Sequence, residues 1–169
     1  QADDTEAINQ YQVAYNLSAD SWSGFFGQNN NWYSGSNNTT YYLQDNWVAA
    51  TYTNSYTTLL SSWKKIKQES EKNETQEIFA LAQILKISAW HKTLESFGPI
   101  PYTHAGEPAL VIPFDSEQVA FNAMFADLTA AIEALTVRAE QGATIVADYD
   151  AVYAGDTRKW VKYANSLML

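Results

Sequence analysis

The spacing of apolar residues along this 169-residue chain predicts five helices. The first begins near Asp3 or Asp4, where Asp3 and Glu6 can form a capping box, and sets Ile8, Tyr11, Tyr15, Ala19 and Trp22 on one stripe. The second runs from about Thr53 to Lys72, with Tyr52, Tyr56, Leu59, Trp63 and Ile66 spaced by fours and threes. Its opening, "TYTNSYTT", is poor in helix formers, which blurs its start. A third helix opens at Asn73, with Gln76 at the capping-box position, and reaches Phe97. Ile78, Phe79, Leu81, Ile84, Leu85, Ile87, Trp90 and Leu94 make it apolar nearly all round, as befits a helix inside a bundle. The fourth starts at Asp115, with Gln118 three later and a stripe of Phe121, Met124, Phe125, Leu128, Ile132 and Leu135. Asp156 caps the fifth, which puts Trp160, Tyr163, Ala164 and Leu167 on one face. Very few residues separate the second and third helices, so these two pack as an antiparallel hairpin. Only the short "ALVIP" offers a strand pattern, and the class is an all-α helical bundle.

Two segments break the helical pattern. Residues 23–46, "SGFFGQNNNWYSGSNNTTYYLQDN", are rich in Asn, Gly and Ser yet carry six aromatics. Residues 98–115 contain all four prolines. Proline fixes φ and biases its predecessor to extended geometry, so this segment reads as a stiff, extended crossing between the third and fourth helices. Within "FGPIPYTHA", Tyr102 packs down on the bundle, and the Ile100–Pro101 bond can be cis although trans is favoured in advance.

Composition narrows the function classes. Hydrophobic residues at 46% and charged residues at 17% describe a folded chain, and no apolar run approaches the length of a bilayer crossing. A net charge of −9 without a Lys/Arg cluster argues against nucleic acid and anionic lipid. Zero cysteines remove thiol catalysis, disulfides and Cys-based zinc sites. The start, "QADDTEAINQ", has no signal-peptide pattern, so the chain is either cytosolic or shorn of its targeting segment. The end, "GDTRKWVKYANSLML", reads as a helix still in progress, which makes a fragment of a longer chain the expectation.

Nothing supports catalysis. His91 and His104 are thirteen residues apart with no metal-binding spacing, and His91 reads as a packed helix residue. Asp148 and Asp150 flank Tyr149, but carboxylates two apart in a turn usually hydrogen-bond the local backbone. No phosphate-binding, dinucleotide or serine-nucleophile motif is present, so the chain reads as no enzyme and needs no cofactor or metal.

The unusual quantity is the aromatic content of 14%, with 11 Tyr and 6 Trp. Trp90 and Trp160 are core by position on their stripes. Trp22, Phe25, Phe26 and Trp47 lie next to helix ends and read as a satellite core. Trp32 and Tyr33 differ, because they sit amid "GQNNNWYSGSNN" where nothing else supplies a core. With Asn30, Asn31 and Tyr41 they form the candidate ligand-binding set. Sugar C–H faces pack on aromatic rings while amides bind the hydroxyls. Sequons at Asn16, Asn37, Asn38 and Asn73 are frequent by chance in such a chain and carry no weight.

Five blocks coincide, in order, with a known family: "NLSADSWSGFFG" (16–27), "NNTTYYLQDNW" (37–47), "EIFALAQILKISAWHKTLESFGPIPYTHAG" (77–106), "PFDSEQ" (113–118) and "DTRKWVKYANSLML" (156–169). With them the chain resembles SusD/RagB outer-membrane lipoproteins over nearly its whole length. The resemblance implies a helical fold with tetratricopeptide-like hairpins and long irregular loops. It also implies a non-catalytic glycan- or nutrient-binding lipoprotein, facing outward from a Gram-negative outer membrane and attached only through an N-terminal lipid whose Cys is absent here. The implied partner is a SusC-like TonB-dependent transporter. Family members run far beyond "ANSLML", so residues 1–169 correspond to the N-terminal part of a single SusD-like domain. An intracellular helical-repeat adaptor binding a peptide is the alternative that the residues themselves leave open.

Overall fold

The computed structural model describes residues 11–169, and the capping box expected at Asp3 and Glu6 lies outside them. The described elements are helical, with only two isolated β-bridges, and "ALVIP" forms no strand. The chain divides into two compact units, residues 1–54 and 55–169.

In the described part of the first unit, a π-helical turn, Gln12–Asp20, packs against α1 (Asp45–Asn54). The Thr51 hydroxyl donates to the Ala14 carbonyl at 2.9 Å to tie them together. Residues between them are loop, interrupted by two single 3-10 turns, Trp32–Gly35 and Asn38–Thr40.

The second unit opens with a π-helical stretch, Ser55–Leu59, leading into α2 (Leu60–Asn73). Helical structure is already present over Asp45–Asn54, ahead of the expected start at Thr53, and only residues 55–58 of the stretch that blurred the start adopt the wider turn. That turn has a use. It brings Ser55 inward to share a buried hydrogen bond of 2.8 Å with Thr93, and lets the Tyr56 hydroxyl donate to the Pro101 carbonyl at 2.9 Å. The chain reverses at Glu74, in the left-handed conformation, and enters α3 (Gln76–Phe97), giving the expected helical hairpin. The Asn73–Gln76 capping box does not form. Asn73 is the last residue of α2, where its amide donates to the Glu69 carbonyl, and Thr75 is the N-cap of α3 without a side-chain bond.

Helix α3 is the central element, with Ile84, Ile87, Trp90, Thr93 and Leu94 all at or below 2% exposure. Against it packs α4 (Glu117–Glu140), and against α4 packs α5 (Thr157–Leu167). The buried stripe of α4 is Ala120, Met124, Leu128, Ala131, Leu135 and Ala139. It is rotated from the expected one: Phe125 is 41% exposed and Phe121 and Ile132 are half-buried. Alanines occupy the close approach and the bulky rings flank it, because interior volume rather than hydrophobicity decides there. Helix α4 is also long and apolar enough to cross a membrane, contrary to the composition reading, although its inner stripe is core here. Asp156 caps α5 as expected, accepting from Arg158 N and Lys159 N at 3.0 and 3.2 Å. Arg158 Nε in turn donates to the Ala139 carbonyl at 2.7 Å, placing a cation at the C-terminus of α4.

The proline-rich segment is not a straight crossing. Its two ends meet: Ile100 and Asp115 form an antiparallel bridge, with Asp115 N donating to Ile100 O at 2.9 Å. Asp115 caps no helix, a role taken by Ser116. Its carboxylate instead accepts from Tyr102 N, Thr103 N and the Thr103 hydroxyl at 2.7–2.9 Å. Burial alone would raise the Asp115 pKa, but these donors hold it below the ordinary carboxylate value. No described peptide bond is cis, so Ile100–Pro101 is trans, and Tyr102 is buried as expected.

Tyr102 is drawn inward by the most unusual residue of α3, Lys86, which is only 4% exposed. Its ammonium lies 4.2 Å from the Trp63 ring centroid, 4.5 Å from Tyr102 and 5.6 Å from Trp90. Asp127 of α4 stands 3.8 Å away and also accepts the Tyr102 hydroxyl at 2.6 Å. Burial is the largest influence on Lys86, with Lys67 adding to it and Asp127 opposing, and its pKa falls to about 8.

Two predictions follow from these clamps. Between pH 8 and 10.5 the unfolded chain holds the Lys86 proton more tightly than the folded one, so stability rises with pH across that window. Lys86→Met should flatten this rise between pH 8 and 10 without lowering the melting temperature at pH 7, because an apolar side chain replaces a buried charge. Thermal unfolding at stepped pH checks both. Asp115→Ala should cost about 2 kcal/mol by stranding three donors. Urea unfolding measures that loss, and limited proteolysis should show cleavage moving into residues 103–114.

Candidate functional site

The Asn- and aromatic-rich loop of the first unit is organised by a residue that the sequence reading gave no weight. Asn37 is fully buried and spends its whole amide on the loop. Its NH2 donates to the Trp32 carbonyl at 2.9 Å and to Gln28 Oε1 at 3.1 Å. Its oxygen accepts from Thr39 N at 3.0 Å and from the Thr39 hydroxyl at 2.5 Å. The Asn37 carbonyl takes Thr40 N and Tyr42 N, both at 3.1 Å. Gln44 closes the far side by donating to the Ser36 carbonyl at 2.7 Å. The adjacent Asn38 is equally buried, and neither atom of its amide has a partner among the described residues. Both sequon side chains here are therefore inside the fold.

With the loop fixed this way, Tyr33, Ser34 and Gly35 run consecutively in the left-handed region, at φ 53°, 52° and 80°. Two of these are not glycine, and such residues cost on the order of 1 kcal/mol or more each. The turn displays Tyr33, which is 65% exposed. Tyr41, also left-handed at φ 58°, is 70% exposed, with its hydroxyl donating to the Trp22 carbonyl at 3.3 Å.

Trp32 is only half exposed, because Trp47 stacks on it at 5.4 Å and 24°. Tyr33 stands edge-on to both indoles at 5.5 and 5.6 Å. The loop thus gets a small aromatic core from Trp47, the residue expected in a satellite cluster. Phe25 and Phe26 do not join one, being 87% and 54% exposed.

A cavity of about 320 Å³ opens beside Trp32, within the size range of ligand pockets. Asn30 and Trp32 line it, joined by Asn29, Gln28, Phe26 and Asn16. Of the five residues expected to bind ligand, the structure brings these two to the cavity. Tyr33 and Tyr41 stand exposed outside it, and Asn31 is exposed without lining it. Asn29, Gln28 and Phe26 line the cavity without having been in the expected set. Their adjacency in "FGQNN" is the signal that pointed to them.

The other chemistry-bearing residues are absorbed locally. His91 Nδ1 lies 3.2 Å from Glu95 and His104 Nδ1 lies 2.9 Å from Glu107, each on its own segment. Asp150 accepts from Val152 N, Tyr153 N, Gly155 N and the Trp160 indole, the last at 2.6 Å. Burial would raise its pKa, but these four donors hold it down to about 2. Among the described residues no group of three or more His, Cys, Asp or Glu is placed to hold a metal ion.

Comparison with known proteins supplies the rest. No match is found among curated proteins. Among solved structures, a chitin-binding SusD homologue from Flavobacterium johnsoniae is 34% identical with a TM-score of 0.83, over 94% of this chain and 33% of that one. A SusD homologue from Bacteroides uniformis is 32% identical with a TM-score of 0.84, over 95% and 33%. One from Bacteroides ovatus is 27% identical with a TM-score of 0.82, over 94% and 31%. The chain therefore spans about a third of the length of these structures. A SusD-like family model, described as SusD and RagB outer membrane lipoprotein, matches residues 1–169, and the chain belongs to that family.

Proposed function

We propose that this chain is the N-terminal part of a SusD-like domain in an outer-membrane lipoprotein that binds a glycan without catalysis and passes it to a SusC-like TonB-dependent transporter. The observation that carries the ligand reading is the cavity in which the Trp32 indole and a bank of Asn and Gln amides converge on a loop locked by Asn37. An aromatic wall with amide donors and acceptors matches the apolar faces and hydroxyl edges of a sugar ring. The likeness to a chitin-binding homologue supports an oligosaccharide ligand and suggests chito-oligosaccharides as the first probe.

In the full-length protein, Trp32→Ala should weaken chito-oligosaccharide binding several-fold, as expected for loss of about 1 kcal/mol of ring packing. Because Trp32 also stacks on Trp47, this variant loses some thermal stability too. Asn30→Ala separates the two effects: it lines the cavity, is exposed, and should weaken binding while leaving the melting temperature in place. Calorimetric titration that finds both variants at wild-type affinity overturns the assignment.

The transporter contact is assigned to the tip of the proline-rich loop, where Leu110, Val111 and Phe114 are 106%, 82% and 63% exposed. The clamp at Asp115 closes the base of this loop before docking, which lowers the ordering cost. Leu110→Asp with Val111→Asp should reduce co-purification of the transporter while leaving glycan binding intact. Thr103 is unsuitable for the same test because its hydroxyl and N–H belong to the clamp. Unchanged co-purification removes the loop as a major contact.

A further inference from the structure

The second unit holds a cleft of about 620 Å³ between the α2–α3 hairpin, the loop at 102–108 and α4. Lys86, Gln83 and Asp127 reach it, and two of these are almost wholly buried, Lys86 at 4% and Gln83 at 6% exposure. Their hydrogen-bonding capacity is largely unspent. The Lys86 ammonium makes no hydrogen bond to any described residue; its nearest carboxylate oxygen, on Asp127, is 3.8 Å away, beyond hydrogen-bond range. Gln83 uses its oxygen to accept the Trp63 indole N–H at 2.6 Å, and its NH2 has no partner among the described residues. Asp127 gives Oδ2 to Tyr102, leaving Oδ1 without one.

A charged donor and a charged acceptor thus stand side by side on the floor, too far apart to satisfy each other. Adjacent hydroxyls of a sugar fit this arrangement, since each hydroxyl both accepts and donates. One oxygen accepts from Lys86 while its neighbour donates to Asp127. The cleft lining carries three lysines (Lys64, Lys67, Lys86) and three carboxylates (Glu71, Glu107, Asp127), so its formal charge balances. That balance favours a neutral ligand over an anion. Phe79, tilted against Trp63 at 5.8 Å, supplies an apolar wall. We infer that this cleft is a second saccharide site, taking a neutral sugar through a vicinal diol held between Lys86 and Asp127, independent of the loop cavity beside Trp32.

The test uses full-length protein labelled with 5-fluorotryptophan, the Trp63 signal being assigned through Trp63→Phe. Titration with methyl β-glucoside, with N,N′-diacetylchitobiose and with galacturonate reads the cleft directly by fluorine NMR. A saturable shift of the Trp63 signal with a neutral sugar is the expected result. Asp127→Asn keeps an acceptor for Tyr102 and should weaken that response about tenfold or more, as loss of a hydrogen bond to a charged group does. Ala123→Met, which adds bulk to the cleft wall one turn ahead of Asp127, should weaken it as well. Trp32→Ala should leave it unchanged, so the two sites stand or fall separately. A Trp63 signal unmoved by either neutral sugar, moved by galacturonate alone, or silenced by Trp32→Ala overturns the proposal.

Discussion

One buried ammonium sets the constraints on the second unit. Taking Lys86 out of water is expensive, and no single neighbour compensates for it. Compensation is assembled instead from Trp63 of α2, Trp90 of α3, Tyr102 of the loop and Asp127 of α4. Each must stand within a few ångströms of the same nitrogen, so the arrangement fixes the rotation of α2 against α3, the depth of Tyr102 and the register of α4. A buried charge of this kind need not add stability. It penalises every packing in which the rings and carboxylate are displaced, and that is a contribution to uniqueness.

The path of the proline-rich loop follows from this demand. For Tyr102 to reach both Lys86 and Asp127, the chain leaving α3 must turn inward at once. Gly98 allows that at φ 73°, ending the helix with its N–H on the Leu94 carbonyl. Ile100 is then carried to full burial, and the Tyr56 hydroxyl donates to the Pro101 carbonyl. Having gone in, the chain has to come back to start α4. Asp115 brings the two ends together, which is why the prolines sit in a closed loop rather than a strut.

What the sequence disclosed and what it hid divide along physical lines. Apolar periodicity revealed the α2–α3 hairpin, the central place of α3 and the cores at Trp90 and Trp160, although Leu85 of α3, read as part of an all-round apolar surface, is 44% exposed. It could not show Lys86, which a count of apolar positions passes over, although a lone lysine in "LAQILKISAW" is itself a signal. It found Met124, Leu128 and Leu135 of the inner stripe of α4 but chose Phe121, Phe125 and Ile132 where Ala120, Ala131 and Ala139 are buried, since small side chains suit a close approach. Capping patterns failed at Asn73 and Asp115 for one reason. A short polar side chain has several backbone donors within reach, and local spacing does not say which it takes. In the first unit, the aromatic loop was legible as a candidate site, with Trp32 and Asn30 meeting at a cavity. The role of Asn37 was not, since its partners Gln28 and Trp32 are brought to it only by the turn that it creates.

The irregular segments share a way of holding their shape. Asn37 gathers the 28–42 loop, Asp115 the 100–115 loop and Asp150 the turn from 150 to 155, each by one side chain collecting several donors. Asn37 and Asp115 take theirs entirely from within the loop that they close, and Asp150 adds one anchor, the Trp160 indole of α5. A loop secured from inside places few demands on the helices that carry it. Residues at its tip, such as Leu110 and Val111, take no part in that closure and stand in solvent. Substitution at such exposed positions disturbs the loop less than substitution of the closing residue, which strands several donors. This separation allows one helical scaffold to carry loops of differing surface without repacking its core.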